Sequence, residues 1–164
     1  MLHRGYTPIH NVGDGNCVFI SLAQIVVGDT AKFQFMRQMI VRRLRNFQTK
    51  YDDGYSSINF RDYCDIMDIN GRAASMLELQ AIADICFSVV ECYSEQDFFM
   101  PMQIIYPKRY SQMPECKGRI RLWIHTNHCM ALVDRDSQHL IQNISDDSDK
   151  LQAVSINAND EEEI

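Results

Sequence analysis

No apolar run in this 164-residue chain approaches the roughly 18 residues of a membrane-spanning helix. The longest candidate, residues 17–27, is interrupted by Ser21 and Gln24. The first residues lack the apolar core of a secretory signal, so an intracellular and most simply cytoplasmic location is expected, without a membrane partner. No Cys-x-x-Cys pair occurs among the six cysteines (17, 64, 86, 92, 116 and 129), which removes the usual support for a structural zinc site. Their irregular spacing points to reduced thiols rather than a disulfide framework. A basic excess is missing too: the net charge is −6. Residues 143–164 hold seven acids and one base, leaving the body formally neutral, so a nucleic-acid partner is not expected.

No repeat or low-complexity linker divides what remains. One compact domain over residues 1–142 is expected, followed by an acidic, flexible tail over 143–164, and the state expected is a monomer. Residues 1–13 read as an extended lead-in, and Gly13-Asp14-Gly15 as a sharp turn. Phe19, Leu22, Ala23, Val26 and Val27 then recur at near-helical spacing, predicting a buried helix that starts at Cys17. Gly28-Asp29-Thr30 ends it and caps a second helix over residues 31–51. That helix has an apolar face of Phe33, Met36, Ile40, Leu44 and Phe47, opposite Arg37, Arg42, Arg43 and Arg45. Asn59 can cap a short third helix. Ser75-Met76-Leu77-Glu78 matches a capping box for a fourth. The period then shortens. Residues 87–93, 102–106, 120–125 and 129–133 read as strands, with residues 134–137 as a hairpin turn into a last strand at 139–142. Helices first and a small sheet afterwards make an α+β domain, the sheet packed between helices.

Cys17 opens a helix directly after Gly13-Asp14-Gly15-Asn16. Helix N-termini carry unpaired N–H groups and a favourable dipole, which suit a thiolate. The glycines allow a tight turn whose N–H groups can converge on one point, as an oxyanion hole requires. The backbone donors expected there are Asp14, Gly15, Asn16 and Cys17. A nucleophilic cysteine also needs a base. His128 heads the apolar run Cys129-Met130-Ala131-Leu132-Val133, where a strand could hold its imidazole rigidly.

Gly13-Asp14-Gly15-Asn16-Cys17-Val18-Phe19 resembles the Gly-Asp-Gly-Asn-Cys-Leu-Phe signature of the ovarian-tumour (OTU) family of cysteine proteases. Asn127-His128-Cys129-Met130-Ala131-Leu132 resembles that family's second signature, and residues 71–83 are similar to its central block. Order and spacing agree over roughly residues 7–142. The resemblance implies a papain-like α+β core and a deubiquitinase acting without metal or organic cofactor. Cys17 would attack the C-terminal glycine of ubiquitin or a ubiquitin-like modifier, with His128 as general base. The related alternatives are a peptidase that processes a precursor polyprotein and an inactive ubiquitin-binding module.

Three positions depart from the family pattern. Gly71-Arg72-Ala73-Ala74 replaces the Trp-Gly segment, Cys129 replaces an aromatic residue, and Met130 stands where many members carry Asp or Asn to orient the imidazole. Asp14 is therefore the candidate third catalytic residue, with Asn11 and Thr7 as alternatives. His125 offers a competing base, because Asn127 lies two residues after it. A metal cluster of His125, His128, Cys129 and Cys116 is disfavoured if one continuous strand points the two histidines to opposite faces.

Overall fold

The computed structural model describes residues 5–52, 54, 57–94, 100–108 and 116–134. The elements run β1 (Tyr6–Ile9), α1 (Cys17–Val26), a 3-10 turn (Thr30–Lys32), α2 (Phe33–Asn46), α3 (Gln48–Tyr51), α4 (Phe60–Met67), α5 (Met76–Cys86), β2 (Ser88–Ser94), β3 (Gln103–Ile105), β4 (Gly118–His125) and β5 (His128–Asp134). The expected last strand at 139–142, its hairpin turn beyond Asp134 and the acidic tail lie outside the described residues.

The capping signals act as their chemistry requires. Asp29 Oδ1 accepts from Ala31 N–H, and Asn59 Oδ1 from Arg61 N–H. Ser75 and Glu78 close a reciprocal capping box at the start of α5. Two expectations are corrected. The lead-in is a true strand, because β1 pairs antiparallel with β5 from Tyr6↔Asp134 to Ile9↔Ala131. The long second helix is divided: Phe47, at φ −125° and ψ 40°, separates α2 from the single turn of α3.

The five-stranded sheet has the order β1-β5-β4-β2-β3. β2 and β4 pair in parallel, and the other neighbours are antiparallel. The register places Val90 beside Ile120 and Cys92 beside Leu122. With Ile105 and Cys129 they join Phe19, Leu22, Met36, Ile40, Leu44, Leu79 and Ile82 in one core. α1 lies on β5 and α5 on β2, while α2 and α4 form the layer behind. This is the expected α+β architecture. Each fully buried aliphatic or aromatic side chain there contributes about 1.5–3 kcal/mol relative to exposure.

The opposite face carries Glu91 at its centre. Arg119 pairs with it, Arg121 Nε donates to its Oε2 at 2.9 Å, and Tyr93 Oη–H donates at 3.0 Å. A buried carboxylate is tolerable because these donors satisfy it. Among the described residues, no helix is long and apolar enough to cross a membrane.

Candidate active site

The chain leaves β1, passes Asn11 and turns sharply into α1, whose first residue is Cys17. The thiol-bearing residue is buried, at 5% exposure, beneath that turn. Asn16 is the N-cap of α1, yet its side chain makes no capping bond to the helix. Its Oδ1 instead accepts from Gly71 N–H at 3.0 Å and from Arg37 Nη2 at 2.7 Å. The first-turn amides therefore keep no side-chain partner, as an anion-binding helix end requires.

Asp14 and Gly15 set the shape of the turn. Asp14 Oδ1 accepts from Asn16 N–H at 3.1 Å, the local bond typical of Asp in a tight loop. That bond occupies the Asn16 amide, one of the four donors expected for the oxyanion hole. The Asp14, Gly15 and Cys17 amides have no hydrogen-bond partner among the described residues. Gly15 adopts φ +81°, and a Cβ there would lie 1.9 Å from Gly71 O. Only glycine fits.

The candidate base lies more than a hundred residues further along the chain. β4 and β5 are joined by the two-residue turn Thr126-Asn127, with Thr126 at φ +54°. His125 and His128 are thus direct cross-strand partners on one face. This corrects the opposite-face expectation, which assumed a continuous strand. The two rings have different neighbours: His125 stacks on Trp123 at 6.1 Å. His128 packs against the nucleophile turn, with Nδ1 3.1 Å from where a Cβ on Gly13 would sit. Its Nδ1 is buried without a hydrogen-bond partner. Cys129 points to the other face, into the core. Among the described residues no cluster of three His, Cys, Asp or Glu side chains could hold a metal ion.

The alternative third residues occupy different places. Asn11 Nδ2 reaches Cys17 O at 3.3 Å, Ser21 Oγ at 3.0 Å and Cys129 O at 3.1 Å, joining α1 to β5. Thr7 pairs with Val133, towards the far end of β5 from His128. Other cysteines sit where a thiolate is disfavoured. Burial pushes the Cys64 and Cys92 thiols up to about 11 and Cys129 up to about 12.

Arg37 is the largest surprise. The helical pattern sets it opposite the apolar face of α2, but its side chain is fully buried. It stacks 3.9 Å over the Phe19 ring. Its donors reach Met67 O at 2.7 Å, Asn16 Oδ1 at 2.7 Å, Arg72 O at 2.8 Å and Gly15 O at 3.5 Å. The signal was present in the sequence: Ile40, Val41 and Leu44 lie three, four and seven residues on, the spacing of one helix face.

The chain resembles known proteins in sequence and fold. No family model matches the chain. It is 34% identical over 135 residues to OVARIAN TUMOR DOMAIN-containing deubiquitinating enzyme 9 of Arabidopsis thaliana, a match covering 68% of this chain and 39% of that protein. It is 33% identical over 79 residues to enzyme 10 of the same series and organism, covering 48% and 22%. The chain thus spans less than two-fifths of either relative. Among solved structures, the OTU domain of OTUD1 superposes with a TM-score of 0.66 at 20% identity, over 80% of this chain and 87% of that one. The Hazara virus OTU bound to ubiquitin gives 0.60 at 13% identity, over 78% and 80%.

Proposed function

Because the chain carries a domain of the OTU family, we propose that it is a thiol-dependent isopeptidase that releases ubiquitin or a ubiquitin-like modifier from lysine. His128 removes the Cys17 thiol proton, and the thiolate attacks the carbonyl carbon of the modifier's C-terminal glycine. Charge passes to the carbonyl oxygen, where the Asp14, Gly15 and Cys17 amides at the start of α1 receive it. His128 returns the proton to the departing lysine amine. Water, deprotonated by His128, then attacks the thioester and frees the modifier's carboxylate. Asp14 is the proposed third member: its Oδ1 accepts from Asn16 N–H, and its role would be to orient the His128 imidazole, whose Nδ1 has no hydrogen-bond partner among the described residues.

The observation that carries this reading is a single juxtaposition. Unspent amides at the start of α1 and the His128 imidazole flank one turn, with that ring packed on Gly13. His125 stacks on Trp123 instead, which favours His128 as the base. The test is cleavage of an isopeptide-linked ubiquitin–lysine conjugate by wild type, Cys17→Ala, His128→Ala and His125→Ala. The first two variants should lose at least a thousandfold in rate, and His125→Ala less than tenfold. Equal losses from both histidine variants would overturn the assignment of the base, and activity in Cys17→Ala would overturn the nucleophile.

A further inference from the structure

We propose that Arg37 is a positioning residue that acts through Asn16 to aim the oxyanion-binding amides, an inference that rests on the isopeptidase reading above. Arg37 is fully buried, and the four acceptors around its guanidinium are uncharged oxygens. Glu78, Asp68 and Asp14 raise its pKa only as nearby charges, while burial lowers it most. A buried cation without a bonded carboxylate is a poor way to gain stability, because apolar side chains of similar volume often serve better. What it supplies here is geometry.

Each contact fixes one side of the turn before Cys17. Gly15 O and Asn16 Oδ1 belong to the turn itself, whereas Met67 O and Arg72 O belong to the segment facing it. Asn16 Oδ1 also takes Gly71 N–H, so the two segments share one acceptor. Gly71 O sits where a Gly15 side chain would be. With Gly15 O and Asn16 Oδ1 held by Arg37, the Asp14, Gly15 and Cys17 amides keep no hydrogen-bond partner among the described residues. The planar fork of Arg can bind several acceptors at once, which the single ammonium of Lys cannot reproduce.

The test uses the full chain with Arg37→Lys and Arg37→Met, and Arg45→Lys as a control. Arg45 lies on the same helix but pairs with Asp65 and Asp68 at the surface. Active sites are counted by iodoacetamide alkylation of Cys17, and kcat and KM are measured on ubiquitin carrying a C-terminal fluorogenic amide. Both Arg37 variants should lose at least tenfold in kcat per titrated thiol, with KM within about twofold. Exchange of the Asn16 and Gly71 amides, held by Asp14 Oδ1 and Asn16 Oδ1, should quicken at least tenfold. A merely structural role would lower the titratable fraction and leave kcat per site unchanged, which would overturn the proposal. Should these variants fail to fold, Asn16→Asp, which keeps both acceptor contacts, is compared with Asn16→Ala, which has neither. Retained kcat in Asn16→Asp beside a tenfold loss in Asn16→Ala supports the proposal, and equal kcat in the two refutes it. If wild type cleaves no ubiquitin substrate, the isopeptidase reading fails by itself. Loop exchange in the Arg37 variants then still decides whether the guanidinium holds the turn.

Discussion

Gly13 brings the turn before Cys17 against His128, the proposed base. A methyl at position 13 would meet His128 Nδ1 at 3.1 Å, closer than ordinary packing, so the imidazole would have to yield by a few tenths of an ångström. Misplacing a catalytic group by such amounts is costly in rate while barely touching substrate affinity. Gly13→Ala should therefore fold normally and bind ubiquitin as wild type does. Its kcat should fall about tenfold, read from steady-state hydrolysis of a ubiquitin C-terminal amide. An unchanged kcat would mean that this contact plays no part in placing the base. Part of the residue scale was legible in advance: Cys17 is the first residue of α1, and His128 at the head of β5 packs against Gly13. The role of Asn16 was not, because an N-cap asparagine normally bonds its own helix. Its Oδ1 is instead claimed by Gly71 and Arg37, partners whose proximity only the folded chain reveals.

Among the elements, the short helix α3 is anchored by a buried phenol. Tyr51 Oη–H donates to Asp84 Oδ2 at 2.6 Å, and Arg43 Nε donates to Tyr51 at 3.2 Å. Burial, with Asp84 second, raises the phenol to about 12 from an ordinary value of 10. The raised value favours the protonated form in the folded state, so this stabilisation is complete below pH 10 and is lost as pH rises towards 12. Two pH units correspond to about 2.7 kcal/mol. Between pH 8 and pH 11 urea unfolding should show about half of that, roughly 1.4 kcal/mol, lost through this group in wild type, and a smaller fall in Tyr51→Phe. Tyr63 and the thiols of Cys64, Cys86, Cys92 and Cys129, all pushed up by burial, leave a residual alkaline limb in the variant. An undiminished fall would exclude Tyr51 as its source. The elements themselves followed from period and caps, since Asp29, Asn59 and Ser75 each bond the amides expected of them. The division of the second helix at Phe47 did not follow, because no glycine or proline marks it. Nor did the sharp turn at Thr126, whose positive φ is unusual for a β-branched residue. β1 was hidden because a four-residue edge strand carries too little alternation to identify itself.

At the scale of the whole molecule, the site exists only because the two ends of the fold meet. Helix α1 and strand β5 are more than a hundred residues apart in sequence, and Asn11 spans them through Cys17 O, Ser21 Oγ and Cys129 O. Removing that amide loses these bonds, at about 1–3 kcal/mol in all, although Ser21 Oγ–H still donates to Cys129 O at 3.3 Å. Asn11→Ala should lower the free energy of urea unfolding by that amount and reduce kcat at a temperature where the variant remains folded. Full activity with reduced stability would limit Asn11 to holding the fold. The central claim is that Cys17 is a nucleophile for the C-terminus of ubiquitin. The most direct measurement is incubation of wild type and Cys17→Ala with ubiquitin bearing a thiol-reactive C-terminal group, followed by intact-mass spectrometry. The account predicts one covalent ubiquitin on wild type and none on Cys17→Ala. A folded wild type that forms no adduct, or an adduct that persists in Cys17→Ala, would contradict it.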